Sequence, residues 1–377
     1  MRSIMLSVIA IGAVVLSACV STTLDISAPP HEDIRHELVA WARMAQNAHN
    51  YQTWRVVLDE DATNRMQLFI EPERLLPETD PPARQVTISA GTFLAVLHAR
   101  AAQLGYSAHI ELFPEGEYDV ATIGDLPVAN IMLERNSGAA SVWAVAADPD
   151  AITQATVRYR YEPAQFDGAI QAAVLQWNNA APGVSVTVIT DSQEVAALNE
   201  LSREAYALEM TTPGPRGESY QSTRMTRRAR RRTPYGLAYT ANFPAGMLPF
   251  VEMSQAIVPQ REEAWARTGI DLFNRATEHI NGYIVITTTD NTRKTQVHTG
   301  MVMQSIWMEL HRRDHTILAN SQALQEYPEM RDLYEKVHRR LGQPGETVQM
   351  MMAVVQPQPG RYQVSPRLSV EDLIAVP

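Results

Sequence analysis

A single cysteine, Cys19, is the feature that most constrains how this 377-residue chain can fold. One thiol cannot form an intramolecular disulfide, so the fold must be stabilised by burying a hydrophobic core. The chain can supply such a core, because 45% of its residues are hydrophobic and its length predicts about two domains. The formal net charge of −10 argues against general binding to nucleic acid.

Cys19 also ends an apolar N-terminal run. Arg2 precedes the run IMLSVIAIGAVVLSA, a pattern typical of a secretory signal. The run is shorter than the ~20 residues that cross a bilayer as a helix. LSAC resembles a bacterial lipobox, which implies a signal peptide over 1–18, a lipid on Cys19 and a tether over 19–33. Without Asp after Cys19, the resemblance implies the periplasmic face of the outer membrane; an ordinary signal peptide or membrane anchor is the alternative.

Beyond the tether, helical and extended patterns alternate. Apolar spacing predicts helices over 34–44 and 86–106, separated by the strands WRVVLDED and MQLFIEPE. Further predicted strands are SAHIELFP, ANIMLER, VSVTVIT, GYIVITTTD and VQMMMAVVQP, and further predicted helices are FDGAIQAAVLQW, SQEVAALNELSREAYALEM, TGMVMQSIWMELHRRD and PEMRDLYEKVHRRLG. Helices alternating with few strands predict an α+β fold.

The stretch NAHNYQTW, residues 47–54, crowds polar groups beside an indole at a predicted helix-to-strand junction. Amide side chains both donate and accept hydrogen bonds, so they can match the edge of a planar heteroaromatic ring. The alternative is structural: Asn50 and Gln52 would cap the helix end, and Trp54 would lie in the core.

An ordered series of segments resembles the nitroreductase-like FMN-binding family, and in particular its Acg-type single-chain branch. AQNAHNYQTWRV resembles that family's APSxHNxQPW segment. ERLLPETDPPARQ follows the branch's R-x-L-P-x-x-D-P-x-x-R loop, with Arg74, Asp80 and Arg84 in step. NGYIVITTTDNTRKTQVHTGMVMQSIWMEL is similar to its later strand and helix, and SQALQEYPEMRDLYEKVHRRLGQPGETVQMMMAVV to its C-terminal end.

The resemblance implies a mixed sheet flanked by helices, with two halves of one chain mimicking the family dimer. These halves would span 34–150 and 151–377, with FMN between them and an Arg-rich lid segment over 211–234. The catalytic residues stay unknown, and no side chain is evident that must act as an acid or base. The cofactor-binding residues that the resemblance implies are Asn47, His49, Asn50, Gln52, Arg160, Gln304 and Ser321, with Trp54 as a structural wall.

RYEPAQFD, residues 160–167, resembles the family's phosphate-contacting segment, but Glu162 and Ala164 stand at its serine and basic positions. Ala353 likewise stands where related proteins often have arginine. A carboxylate beside a phosphate would be repulsive. The alternative for this segment is a surface turn that opens a helix.

Two other features have functional and structural interpretations. RMTRRARRR, residues 224–232, could pair with a phosphate, contact anionic lipid, or form a solvated, mobile lid. His311 and His315 share a helix face, but a third metal ligand is not evident, and a polar helix face is the preferred interpretation, with no metal site expected.

The function that the resemblance implies is an FMN-dependent oxidoreductase that passes electrons from reduced flavin to nitroaromatic or quinone-like acceptors. Because a lipoprotein outside the cytoplasm meets little NAD(P)H, the electron donor stays open. The alternatives are a non-catalytic envelope lipoprotein that binds or sequesters flavin, and an envelope scaffold without flavin.

Overall fold

The computed structural model describes residues 33–135, 143, 161–243, 245–358 and 364–375. Within these residues the chain forms two five-stranded sheets flanked by helices, which confirms the predicted α+β class. The predicted signal peptide, Cys19 and Arg160 lie outside the described residues. No helix in the described ranges is long and apolar enough to span a membrane.

The elements alternate between helix and strand in both parts of the chain. The helices are α1 (Ile34–Ala42), α2 (Arg84–Gln103), α3 (Gly168–Leu175), α4 (Ser192–Thr211), α5 (Pro213–Gln221), α6 (Arg227–Arg232), α7 (Leu248–Ile257), α8 (Glu262–Thr277), α9 (Arg293–His311), α10 (Arg331–Leu341) and α11 (Val370–Leu373). The strands are β1 (Trp54–Leu58), β2 (Arg65–Ile70), β3 (Tyr106–Leu112), β4 (Ala129–Arg135), β5 (Tyr161–Pro163), β6 (Val184–Ile189), β7 (Thr223–Arg224), β8 (Leu237–Ala238), β9 (Tyr283–Thr288), β10 (Thr316–Ala319), β11 (Thr347–Pro357) and β12 (Ile374–Ala375).

One sheet has the order β12-β1-β2-β4-β3 and is mixed, because β12 runs parallel to β1 while the other pairs are antiparallel. The second has the order β10-β11-β9-β6, with β5 pairing to the end of β11, and all its pairs are antiparallel. The strand β9 (Tyr283–Thr288) is buried along its whole length, as expected for a strand covered on both faces.

Helices α4 to α8, with the small parallel pair β7 and β8, form a helical cap between β6 and β9. Helices α4 and α8 pack together, and the rings of Tyr206 and Phe273 stack with centroids 4.3 Å apart. The sequence patterns predicted α4 but assigned no elements to residues 235–281, where α7 and α8 lie. Helix α8 is partly buried, and its buried residues Ala266, Phe273 and Ala276 follow the helical period.

Helices α2 and α9 cross at two glycines, and this contact joins the two sheets. A Cβ atom at Gly91 would lie 2.0 Å from the carbonyl oxygen of Val297 and 2.9 Å from the Cα of Gly300. Reciprocally, a Cβ at Gly300 would lie 1.9 Å from the carbonyl oxygen of Ile88. Only two residues without side chains allow the backbones to approach this closely.

The C-terminal segment returns from the second sheet to the first. Val56 and Val57 of β1 pair with Ile374 and Ala375, and Arg43 donates to the carbonyl oxygen of Leu368 (2.6 Å). The two predicted halves of the chain, 34–150 and 151–377, stay a prediction. The last described residues of the second half, Ile374 and Ala375, pair with the first sheet.

The loop before α2, ERLLPETDPPARQ, forms hydrogen bonds that stabilise the fold. Asp80 accepts hydrogen bonds from the backbone N–H groups of Gln85 (3.1 Å) and Val86 (2.9 Å), which would otherwise lack partners at the start of α2. Burial raises the pKa of Asp80 to about 6, while those N–H donors act to lower it. Arg74 donates to the carbonyl of Trp54 (2.9 Å) and so fixes the start of β1.

Arg84 bridges the two sheets. Its guanidinium is almost fully buried, forms an ion pair with Glu326 (3.0 Å), and donates to the carbonyl oxygens of Gln349 (2.8 Å) and Leu324. Removing such a buried, paired charge would leave its partners unsatisfied. The loop ERLLPETDPPARQ, which carries part of the family resemblance, therefore helps to hold the two sheets together.

We expect Gly91→Ala to lower the free energy of unfolding by roughly 3 kcal/mol or more, because its Cβ would collide with backbone that cannot rotate away. Urea unfolding followed by circular dichroism measures this change. Gly217→Ala is the matched control, since Gly217 also lies inside a helix but has no atom within 4 Å of a built Cβ. That variant should be neutral or gain up to about 1 kcal/mol from helix propensity. Equal stability of the two variants would contradict the close crossing.

Candidate functional site

A cleft of about 260 Å³ lies where the two sheets and the helical cap meet. This volume is close to the lower end of the ~300–1,000 Å³ typical of small-molecule sites. The first part of the chain contributes residues 46–50 and the start of α2 to the walls. The second part contributes α9, the loop after β10 and the cap, and the C-terminal segment contributes Ser365 and Arg367.

The floor of the cleft is set by the helix crossing. Ile88, one turn before Gly91, lines the cleft, as do Met303 and Trp307, about one and two turns after Gly300. The indole N–H of Trp307 is buried and has no hydrogen-bond partner within the described part of the chain. Buried donors without a partner are uncommon in native proteins.

Two amide oxygens supply the complementary acceptors. Gln325 is buried, and its Oε1 has no partner among the described residues, while its Nε2 donates to Glu209 (3.2 Å). The Oε1 of Gln322, also in the wall, is likewise without a described partner. The residues of the cleft wall thus include one buried donor and two buried acceptors that form no hydrogen bond with the described part of the chain.

The cap forms an aromatic wall opposite these groups. Its lining rings include the stacked pair Tyr206 and Phe273 and the tilted pair Tyr239 and Phe243, whose centroids are 5.4 Å apart. Trp265 lies in the same wall. Flat apolar rings with a few polar groups between them favour a planar ligand.

Two charged side chains of opposite sign stand among the described lining residues. Glu209 is buried and accepts from the hydroxyl of Ser219 (2.6 Å) and the amide of Gln325. Arg367 donates to Asn50 Oδ1 (2.5 Å) and to the carbonyl of Arg43 (3.0 Å), and pairs with no carboxylate in the described ranges. Burial, and then the nearby Arg43, lowers the pKa of Arg367 to about 10, so it remains charged near neutral pH.

The predicted stretch 47–54 lies at the edge of the cleft in a strained backbone conformation. His49, Asn50 and Gln52 have φ values of 47°, 55° and 50°, in the left-handed region that most residues avoid. Asn50 Nδ2 donates to the carbonyl oxygens of Gly236 (2.9 Å) and Pro366 (2.8 Å). Because Asn50 Oδ1 accepts from Arg367, the whole amide is used within the protein.

Gln52 is fully buried and does not line the cleft. Its Nε2 donates to the carbonyl oxygens of Pro234 (3.2 Å) and Pro366 (3.2 Å), and its Oε1 accepts from the N–H of Leu368 (2.8 Å). Asn47 lines the cleft, but its Oδ1 accepts from the backbone N–H of Gln52 (2.8 Å). The amides therefore clamp the cap and the C-terminal segment to the first sheet.

The other described residues that were predicted to bind the cofactor lie partly in the cleft wall and partly outside it. His49 and Ser321 line the cleft, whereas Gln304 is buried beneath it and accepts from the N–H of Gln46 (3.0 Å). Trp54 lies in the core, donates to the carbonyl of Ser89 (2.8 Å), and is no part of the cleft wall.

The segment 160–167 is described from Tyr161 onward. Asp167 accepts from the N–H groups of Ala169 (2.9 Å) and Ile170 (3.0 Å) and so caps α3, while Glu162 is exposed in β5. These contacts have the form of a turn that opens a helix. Within the described residues no group of three potential metal ligands comes together.

The sequence analysis did not identify the two charged residues that line the cleft, Glu209 and Arg367. It also did not identify the buried polar atoms of the wall that have no described hydrogen-bond partner. Arg367 and Glu209 occur in no recognisable motif, and each reaches the cleft only through tertiary contacts. Trp307 lies in the predicted helix TGMVMQSIWMELHRRD, but nothing in the helix pattern distinguishes an indole in a cleft wall from one in the core.

Fold and cleft together define an α+β protein with a ligand-sized cleft between two sheets and a helical cap. No protein-family model matches the chain. Two Mycobacterium tuberculosis proteins, from strains H37Rv and CDC 1551, have names that provisionally describe them as NAD(P)H nitroreductases. Each is 32% identical over 102 residues, which is 26% of this chain and only 28% of the relative's length. This local similarity supports a relation to nitroreductases.

Solved structures give weaker likenesses. A provisionally named nitroreductase of Anabaena variabilis aligns over 88% of this chain and 90% of its own, with a TM-score of 0.43 and 9% identity. The FMN-dependent nitroreductase of Mycobacterium smegmatis, solved in complex with NADPH, aligns over 60% and 96%, with a TM-score of 0.37 and 12% identity. A Bacteroides fragilis nitroreductase with bound FMN aligns over 54% and 84%, with a TM-score of 0.29 and 11% identity.

We expect Asn50→Ala to lower the free energy of unfolding by about 2–4 kcal/mol, because three hydrogen-bond partners lose the amide. These partners are the guanidinium of Arg367 and the carbonyl groups of Gly236 and Pro366. Chemical denaturation measures the effect, and limited proteolysis should show earlier cleavage of the C-terminal segment.

Asn64→Ala provides the comparison, since Asn64 is exposed and its amide makes a single bond, to the carbonyl of Leu133 (3.0 Å). That variant should cost under about 1 kcal/mol. If both variants had the same small effect, the clamp assigned to Asn50 would be wrong.

Proposed function

We propose that the protein is an FMN-binding oxidoreductase of the nitroreductase type that passes electrons from reduced flavin to nitroaromatic or quinone-like acceptors. The observation that carries this proposal is the cleft between the two sheets, at the helix crossing, with an aromatic wall and unused hydrogen-bonding groups. The local similarity to nitroreductases points to the same class.

The residues of the cleft fit the flavin ring system. An isoalloxazine presents ring nitrogens and carbonyl oxygens at one edge, so it both donates and accepts hydrogen bonds. Trp307 would supply a donor and Gln322 and Gln325 would supply acceptors, and apolar side chains line the remaining wall. The polar edge of a buried isoalloxazine needs such partners, because a buried polar group without a hydrogen bond costs free energy.

For the phosphate, Arg367 is the one guanidinium among the described lining residues. Its Nη2 makes one bond, to the carbonyl of Met44 (3.3 Å), which leaves donor capacity. Arg160, the position that the family resemblance favours, is a second source of charge in the proposal. Glu209 would repel a phosphate, so the phosphate end of FMN belongs away from that carboxylate.

When bound, FMN would supply the hydride chemistry, and the protein would supply binding, orientation and electrostatics. The aromatic wall of the cap would exclude water from the ring and offer a stacking surface for an aromatic acceptor. Arg367 would favour negative charge that develops close to it, because its guanidinium is partly buried and forms no ion pair with a described carboxylate. No described side chain is required as an acid or base.

Non-catalytic flavin binding is the second candidate, and the cap favours it. Residues 234–236 are bonded to Asn50 and Gln52, so the cap is fastened across the cleft rather than separate from it. A cap held in this way would retain a flavin while hindering an acceptor.

We also propose that the protein is a cell-envelope lipoprotein on the periplasmic face of the outer membrane. LSAC with the unique Cys19 supports this location. An exported position would separate the flavin from cytoplasmic NAD(P)H, so the donor would be another reductant of the envelope.

The chain from residue 20 onward, purified without its lipid, should be yellow and show the visible absorption bands of oxidised flavin. Anaerobic addition of NADH, NADPH or dithionite should bleach the bands, and a nitroaromatic or quinone should restore them. A colourless protein that takes up no FMN in titration would contradict flavin binding. A flavin that dithionite reduces but no acceptor reoxidises would support storage over catalysis.

A matched tryptophan pair tests the position of the ring. Trp307→Phe removes one donor and should weaken FMN binding by about fivefold to tenfold, as for one lost hydrogen bond. Trp177→Phe is the control, because Trp177 is also buried with an unpartnered indole N–H in the described residues but lies outside the cleft. Equal affinities for the two variants would exclude Trp307 as a ring partner.

Cys19→Ser should leave the precursor uncleaved. In a Gram-negative host the protein should then be absent from the outer-membrane fraction and should appear in the membranes that retain the precursor. The reason is that lipid attachment and cleavage both require the thiol. Labelling with a radioactive fatty acid measures lipidation directly. Label retained by Cys19→Ser would refute the lipobox assignment.

A further inference from the structure

Helix α7 exposes an apolar face that no described residue covers. Phe250, Met253 and Ile257 are 58%, 57% and 71% exposed, and their spacing of three and four places them on one face. Met247 and Val258, at the two ends, are also exposed. The opposite face, with Leu248 and Val251, is buried against the cap. Exposed apolar residues grouped in this way indicate an interaction surface.

Helix α6 places a cluster of arginines beside this face. Arg227, Arg228, Arg231 and Arg232 are exposed, and their side chains form no hydrogen bond or ion pair with any described residue. The fifth arginine of the helix, Arg230, is buried and pairs with Glu252. Four uncompensated cations on a chain of net charge −10 form a local positive patch.

Glu252 fixes the position of one helix against the other. Its carboxylate accepts from the N–H of Arg227 (2.7 Å) and from the guanidinium of Arg230. Glu252 lies about 100° around α7 from Met253, since a helix turns that far per residue. Helix α6 therefore flanks the exposed apolar face along one edge rather than covering it.

We propose that α6 and α7 form a membrane-docking surface, in which the apolar face of α7 enters a bilayer interface and the arginines of α6 bind anionic headgroups. A helix with exposed large apolar side chains and flanking basic residues is the arrangement of interfacial helices. Guanidinium binds phosphate bidentately, and a basic cluster is drawn to an anionic surface.

The charge pattern favours lipid over a second copy of the chain. In a two-fold dimer each copy would present the same patch to the other, and eight guanidiniums would face one another. Like charges at that distance oppose association. An anionic bilayer instead neutralises the arginines and receives the apolar side chains in the same contact.

The test uses the polypeptide from residue 20 onward, so that no lipid on Cys19 contributes. We expect it to float with vesicles of phosphatidylcholine containing about one third phosphatidylglycerol, and to bind neutral phosphatidylcholine vesicles at least about tenfold more weakly. Binding should decrease as salt is raised. Phe250→Trp should give a blue-shifted fluorescence that brominated lipids quench.

Two variants separate the contributions. Replacing the four exposed arginines of α6 by Gln should reduce vesicle binding by about tenfold or more. Replacing Phe250, Met253 and Ile257 by Ser should abolish insertion. The controls carry the same changes elsewhere: Arg65, Arg331, Arg339 and Arg340 to Gln, and Val120, Met132 and Leu175 to Ser, all of which are exposed.

Control variants that lose as much binding as the patch variants would overturn the proposal, as would equal binding to neutral and anionic vesicles. So would a dimer in analytical ultracentrifugation that the Ser variant of α7 dissolves, because the apolar face would then contact a second copy. Circular dichroism spectra that match the unmodified protein show that each variant is folded. None of these readouts depends on flavin or on Cys19.

Discussion

The crossing of α2 and α9 at Gly91 and Gly300 is the contact on which the rest of the structure depends. Each glycine faces backbone of the other helix at a distance that excludes a Cβ. The crossing brings the two sheets together, since each helix packs on its own sheet and on the other helix. It also sets the cleft, because Ile88, Met303 and Trp307 lie within two turns of it.

A second layer of contacts holds the walls of the cleft in place. Arg84 connects the start of α2 to β11 and the loop before α10, and the strained stretch 49–52 connects the first sheet to the cap and the C-terminal segment. The strain in that stretch is maintained by several buried hydrogen bonds, as strained backbone requires. The amides of Asn47, Asn50 and Gln52 hold this stretch together, and Asn50 accepts a hydrogen bond from Arg367, which lines the cleft.

The helical cap contributes to both proposed activities. Its inner side supplies the aromatic wall, with Tyr206, Tyr239 and Phe273, and its outer side carries the arginines of α6 and the apolar face of α7. A protein docked through this outer side would hold its cleft close to the bilayer, where apolar aromatic acceptors such as quinones dissolve. In these proposals the cap, which lies between β6 and β9, would link the ligand site to the membrane surface.

Local sequence determined much of this protein. Periodicity predicted the α+β class, the long helix over 86–106 and most central strands, because their apolar residues repeat at the helix or strand period. The single cysteine excluded disulfides. The polar stretch 47–54 lies beside the cleft: Asn47, His49 and Asn50 line it, as does Ser321, whereas Gln52 is buried outside it.

An amide looks the same in sequence whether its partner is a ligand or a carbonyl 316 residues away, as between Asn50 and Pro366. Only tertiary structure decided those partners, the Gly91–Gly300 crossing, and the joining of Glu209 and Arg367 in one cleft. The physical reason is that propensity and periodicity act over one turn or one strand, whereas packing and burial depend on segments that meet only after the chain has folded.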